Sequence, residues 1–176
     1  FYLDNTDKLI DNLQNARKNN HQIILLGVSF ALLELAELHA LDLSGVIVME
    51  TGGMKGRRKE IIRSELHELL KNSFGVENIH SEYGMTELMS QSYAMKNGIF
   101  EPPAWMKVLT RDMNDPFDMR SKRRTGGLNI IDLANLHSCA FIETEDMGVV
   151  YENGHFEVLG RIDNSEIRGC NLLVAS

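Results

Sequence analysis

The chain has 176 residues, 43% of them hydrophobic and 24% charged, with only three prolines. This is a globular composition at the length of one domain, which excludes wholesale disorder; folding such a chain removes roughly 70% of its unfolded surface from water. A net charge of −7 argues against a cationic nucleic-acid binder, so no nucleic-acid partner is expected.

The elements alternate through the first part of the chain. Thr6 is placed to cap a helix whose apolar positions are Leu9, Ile10, Leu13 and Ala16, a 3.6-residue period. Ile23 to Val28 is predicted as a strand buried on both faces, and Phe30 to Leu41 as a mostly apolar helix. Val46 to Met49 is a second short buried strand. Lys55 to Phe74 follows as a long helix with Ile62, Leu66, Leu69 and Leu70 on one face, stopped by Gly75. Ile79 to Glu82 is a third strand and Met85 to Met95 another helix. Strands alternating with helices imply a parallel sheet flanked by helices.

After Ile99 the pattern changes. Trp105 to Leu109, Leu128 to Leu133, Ala140 to Glu143, Gly148 to Tyr151 and His155 to Leu159 read as short strands. Asn153-Gly154 marks a hairpin, and residues 111–126 a surface loop. The expected fold is therefore α/β: a parallel sheet with flanking helices in residues 1–98, then a small antiparallel β subdomain in residues 99–176.

Cys139 and Cys170 are too few for a disulfide framework and form no C-x-x-C, which points to a reducing, cytoplasmic setting. Cys139, beside a β run, is expected in the core. The six histidines fall at no metal-ligand spacing, so zinc is not expected. The longest apolar run, Ile23 to Leu33, is far short of the ~20 residues that span a bilayer, so no membrane partner is expected either.

Three stretches could carry chemistry. Glu50-Thr51-Gly52-Gly53, followed by Lys55, Arg57, Arg58 and Lys59, lies at the carboxyl end of a predicted parallel strand, where α/β sheets bind ligands. Cations opening a helix have the wrong sign for its dipole, which a bound anion would offset. A solvated cationic turn accounts for the same residues. Ser81-Glu82-Tyr83-Gly84-Met85-Thr86-Glu87 lies at another strand-to-helix junction. There Thr86 could cap the helix and make an anion site, Glu87 could hold a magnesium ion, and Tyr83 offers a flat face for a base. A plain capping turn is the alternative. In the third stretch, Asp146 before a turn glycine and Arg161 at the next hairpin form a carboxylate–guanidinium pair suited to a vicinal diol. A surface hairpin salt bridge is the alternative.

The order YGMTE, then T-x-D-x-G, then GRID resembles the adenylate-forming superfamily of acyl-CoA synthetases and adenylation domains, which carry Y-G-x-T-E, T-G-D and G-R-x-D in that order. The runs ETGGMKGRRKE, SEYGMTELMSQSY, FEPPAWMKVLTRD and GRIDNSEIRGCNLL resemble the LuxE-like acyl-protein synthetase branch. The likeness covers nearly the whole chain but only the carboxyl-terminal half of such an enzyme. The chain opens on Phe1, and it is expected to be part of a longer enzyme.

The resemblance implies ATP and Mg2+ as cofactors and attack of a carboxylate on the α-phosphorus of ATP. Tyr83 would flank the adenine, with Gly84 among the cofactor-binding residues, Thr86 would bind the α-phosphate and Glu87 the magnesium. Asp146 would hold the ribose hydroxyls with help from Arg161, and Gly52 and Gly53 would wall the pocket. The acyl-adenylate would pass to a thiol: Cys170, at the place of the branch's acyl-accepting cysteine, with Arg168 favouring its thiolate, or coenzyme A. Cys170 also fits a final strand as a small buried residue. Glu145 replaces the glycine of T-G-D, so the loop there must differ. The implied partners are a carboxylic, fatty acid and either a second copy of the chain or an acyl-processing protein. A non-catalytic nucleotide-binding or scaffold fragment is the competing reading.

Overall fold

A computed structural model describes residues 2, 5–52, 61–115, 117–119 and 123–162. The chain forms two compact units, Phe1–Ser81 and Glu82–Ser176, a division that falls ahead of the pattern change read near residue 98.

The first unit opens with α1 (Thr6–Lys18), which carries Leu13 into the core. Its cap is Asn5, not Thr6: the Asn5 side chain accepts from the Lys8 amide, as an N-cap carboxamide does. Then come β1 (Ile24–Val28), α2 (Ser29–Leu38), β2 (Ile47–Thr51), α3 (Arg63–Phe74) and β3 (Ile79–Tyr83). β1 and β2 pair in parallel, Ile24 opposite Ile47, with β3 next in order. The fold class is the expected α/β arrangement. Leu25 and Val48 point into a core made with Leu32, Leu33 and Leu35 of α2, Leu66, Leu70 and Phe74 of α3, and Ile79.

Three readings are corrected here. β1 is buried on one face only, since Ile24 and Leu26 are exposed. α2 ends at Leu38, before the expected Leu41. The buried stripe of α3 is Leu66, Leu70 and Phe74 at four-residue spacing, while Ile62 and Leu69 face out. The helix stops where expected: Gly75 takes φ 66°, a left-handed conformation that glycine adopts without steric cost.

In the second unit β3 ends at Tyr83, with β4 (Ser92–Ala94) as its neighbour. Helix Met85–Met95 does not form; residues 84–91 turn instead, their amides at Met89 and Ser90 taken by Asn135 and Asp132. β5 (Ile99–Phe100), β6 (Met106–Arg111), β7 (Gly126–Asp132), β8 (Phe141–Val150) and β9 (Phe156–Arg161) form an antiparallel sheet in the order β5-β9-β8-β7-β6. The two strands expected at 140–143 and 148–151 are one strand, β8. Gly148 makes no turn; the register shifts at Met147/Gly148, where a Cβ on Gly148 would lie 2.2 Å from the Glu157 carbonyl oxygen. Gly154, with φ 85°, bends the chain between β8 and β9 as its Asn-Gly pair implies. Cys139 is exposed, not core: it sits in the connection after a 3-10 turn, Leu133–Asn135. The core gathers Tyr83, Leu88, Ala94, Phe100, Met106, Val108, Leu128, Ile130, Val150 and Phe156. Among the described residues no helix is long and apolar enough to cross a membrane.

Candidate functional site

Residues Gly84 to Ser90 leave β3 as a turn that exposes Gly84, Thr86, Glu87 and Met89. Leu88 plugs into the core and its amide closes on the Met85 carbonyl at 3.1 Å. Thr86 and Glu87 thus occupy the two central positions of a β-turn, both exposed. The helix start expected to frame an anion site does not form, and Thr86 stands on the turn instead.

Tyr83 at the end of β3 is 8% exposed. Its ring packs on Phe100 (centroids 5.8 Å apart) and edge-on to Phe156 (5.4 Å), and those two rings stack at 5.3 Å. The flat surface expected for a base therefore lies largely inside the core. What Tyr83 does present is its hydroxyl, which donates to Asp146 Oδ2 at 2.7 Å. Burial pushes this phenol far above its ordinary range, and the Asp146 charge and hydrogen bond push it further, so it stays a protonated donor.

Asp146 and Arg161 stand directly opposite in the β8–β9 ladder. The guanidinium lies 3.9 Å from Asp146 Oδ1 but bonds Glu145 Oε2 at 2.7 Å. Glu145, at the position where the superfamily has glycine, thus takes the close contact with Arg161. Both of those side chains are about 70% exposed, so that pair stabilises little. Asp146 is more enclosed, with its amide held by Thr144 Oγ1 at 3.1 Å.

Two supports were not singled out in the sequence. Arg111, 7% exposed, donates to the carbonyls of Leu128 (3.1 Å) and Thr144 (2.9 Å) and to Asn129 Oδ1, and pairs with Glu143. It threads beneath the strand that carries Asp146. Gly127 makes room, since a Cβ there would meet the guanidinium carbon at 2.5 Å. The second support is a polar hub of Ser90, Trp105, Asp132 and Asn135. Asp132 accepts from the Ser90 amide (3.0 Å), the Ser90 hydroxyl (2.8 Å) and the Ala134 amide (3.0 Å). Trp105 Nε1 donates to Ser90 Oγ at 2.8 Å, and Asn135 Oδ1 accepts from the Met89 amide at 2.7 Å. An aspartate immediately before Leu133-Ala134-Asn135 and a serine after Y-G-x-T-E were the available signals; their pairing across 42 residues was not.

Gly52 belongs to the first unit, with φ 70° and its carbonyl 3.3 Å from Ser29 Oγ. Beside it Glu50 is buried. It accepts from Ser29 Oγ (2.8 Å) and Arg63 Nε (3.1 Å), and His67 Nε2 is 3.6 Å away. Burial pushes Glu50 up, but the His67 hydrogen bond, the Arg63 charge and the bonds from Ser81 and Ser29 outweigh it and hold the carboxyl below its usual range. Gly53, the cations Lys55, Arg57, Arg58 and Lys59, Arg168 and Cys170 lie outside the described residues.

So Tyr83, Asp146 and Arg161 come together, and Gly84, Thr86 and Glu87 share their unit. This is the fold of the carboxyl-terminal part of the large domain of adenylate-forming enzymes. ATP-bound MatB from Rhodopseudomonas palustris superposes with a TM-score of 0.64 at 16% identity, over 88% of this chain and 33% of that one. The o-succinylbenzoate coenzyme A synthetase MenE from Bacillus subtilis, in complex with AMP, gives 0.57 at 19% identity, over 86% and 33%. The luciferase-like enzyme of the Zophobas morio mealworm gives 0.60 at 16%, over 87% and 40%. The chain thus spans about a third of the length of the first two. No curated protein sequence matches significantly. The model of the family described as acyl-protein synthetase, LuxE, matches residues 2–176, and the chain belongs to that family.

Proposed function

We propose that the protein activates a carboxylic acid, a fatty acid by the precedent of its family, with ATP. A carboxylate oxygen attacks the α-phosphorus, the bond to pyrophosphate breaks, and an acyl-adenylate forms. A thiolate then attacks the acyl carbon and expels AMP, leaving a thioester on Cys170 or on coenzyme A. The protein's part is positioning and charge stabilisation.

The observation that carries this reading is the Tyr83–Asp146 hydrogen bond, with Arg161 opposite, in a chain of this family. It fixes Asp146 with one carboxylate oxygen on Tyr83 and the other towards Arg161, a geometry suited to the ribose diol. Thr86 and Glu87 offer a hydroxyl and a carboxylate on one exposed turn. Such hard oxygen donors fit Mg2+, which takes one or two carboxylates together with substrate phosphates. Bound there, the ion would neutralise charge on the phosphates.

The test is acid-dependent ATP–pyrophosphate exchange by the full chain. Asp146→Ala should raise the KM for ATP by about 10–100-fold, the equivalent of a charge-assisted hydrogen bond. Cys170→Ala should retain exchange and lose self-acylation; if it still acylates itself, Cys170 is not the acceptor. MgATP binding without exchange for any carboxylic acid would overturn catalysis in favour of a nucleotide-binding scaffold, a role that the exposed Ile24, Leu26 and Ile47 of the first unit would serve as an interface.

A further inference from the structure

The turn that carries Thr86 and Glu87 has no regular structure to define it. Among the described residues neither side chain makes a hydrogen bond or ion pair, and what is fixed there is the main chain that carries them. That main chain is held from a distance. Asn135 grips residues on both sides of Leu88: Nδ2 donates to the Glu87 carbonyl and Oδ1 accepts from the Met89 amide. Asp132 takes the next amide, that of Ser90, and the Ser90 hydroxyl as well. Asp132 is 0% exposed and Asn135 3%. A carboxylate so deeply buried is costly unless fully hydrogen-bonded. Here its donors come mainly from the turn.

We propose that Asp132 and Asn135 are positioning residues that set Thr86 and Glu87 for the adenylation step. The inference rests on the function proposed above. Transfer at phosphorus needs its metal-binding carboxylate placed to within about half an ångström, and a 1 Å error can cost about 100-fold in rate. Asn135 acts on the backbone of Glu87 itself, so its loss should affect metal use and turnover and leave acid binding unchanged.

The experiment is ATP–pyrophosphate exchange by the full chain, titrated separately with Mg2+ and with the acid. Asn135→Ala removes both grips. Asn135→Asp keeps an acceptor for the Met89 amide and removes the donor to Glu87. Val108→Ala weakens the same core from β6 without touching the turn. The expected result for both Asn135 variants is a kcat about 10–100-fold lower and a several-fold higher Mg2+ requirement, with the KM for the acid unchanged. Val108→Ala should lose activity only in proportion to its unfolded fraction. Wild-type kcat and Mg2+ requirement in the Asn135 variants, or losses that track folded fraction as in Val108→Ala, would overturn the proposal. If Asn135→Ala does not fold, Asn135→Asp decides. Absence of exchange in the unaltered chain would instead strike the proposed function, and the two failures are thereby distinct.

Discussion

The Tyr83 hydroxyl reaches Asp146 Oδ2 over 2.7 Å, tying the end of β3 to β8 across 63 residues of sequence. One residue thereby serves two purposes. Its ring completes a three-ring aromatic cluster, and its hydroxyl orients a carboxylate on β8, the middle strand of the antiparallel sheet.

Tyr83→Phe keeps the ring and removes the donor. The second unit should lose about 1.5–3 kcal/mol, the range for a hydrogen bond to a charged group, measured by urea unfolding at pH 7. The variant should also differ in alkali. The folded-state pKa of Tyr83 is raised, so its contribution is whole below the unfolded value near 10 and declines as pH rises beyond it. Unfolding midpoints between pH 8 and 11 should fall less steeply in Tyr83→Phe than in the parent; parallel slopes would contradict the assignment.

Glu50 should make the first unit acid-sensitive. Its folded pKa is lowered, so its contribution is present above the unfolded value near 4.5 and is lost as pH falls through the folded one. Glu50→Gln removes the buried charge that faces Arg63 and His67 and puts an amide NH2 in place of one of its two acceptor oxygens, and should cost about 3 kcal/mol at neutral pH. The gap between parent and variant should narrow below pH 4.5. Equal stability at pH 7 in calorimetry would rule this out.

Gly148→Ala should destabilise by about 1–3 kcal/mol. The new methyl would stand 2.2 Å from the Glu157 carbonyl oxygen and about 3 Å from both Leu128 methyls, so β9 must move. Thermal unfolding reads the effect. An unchanged midpoint would mean that the bulge at Met147/Gly148 is looser than described.

Arg111→Met should cost about 2–4 kcal/mol, since the carbonyls of Leu128 and Thr144 lose buried donors and Glu143 its partner. Because Thr144 Oγ1 also holds the Asp146 amide, the variant should bind ATP more weakly than its folded fraction explains. Calorimetric titration with ATP checks this.

What was legible in the sequence followed from local patterns. The β-branched runs of β1 and β2, the Gly75 stop and the Asn153-Gly154 bend state their roles within a few residues. What was not legible depended on distant partners. Residues 85–95 have helix-forming Met, Glu, Leu and Ala, yet Asp132 and Asn135 capture the amides of Ser90 and Met89 and fix a turn instead. Gly148 reads locally as a turn, and only the neighbouring strand makes it a bulge. At the site, Tyr83, Asp146 and Arg161 were marked by motif order; that the Tyr83 ring belongs to the core depends on its packing with Phe100 and Phe156, which lie 17 and 73 residues further along the chain.

Because side chains of the 132–135 segment set the path of residues 87–90, conformation and chemistry there are specified by separate stretches of sequence. The two outermost residues of the turn can be exchanged for others without rerouting the backbone. The reactive tip is therefore open to redesign, while any insertion at its remote anchor would redirect it wholesale.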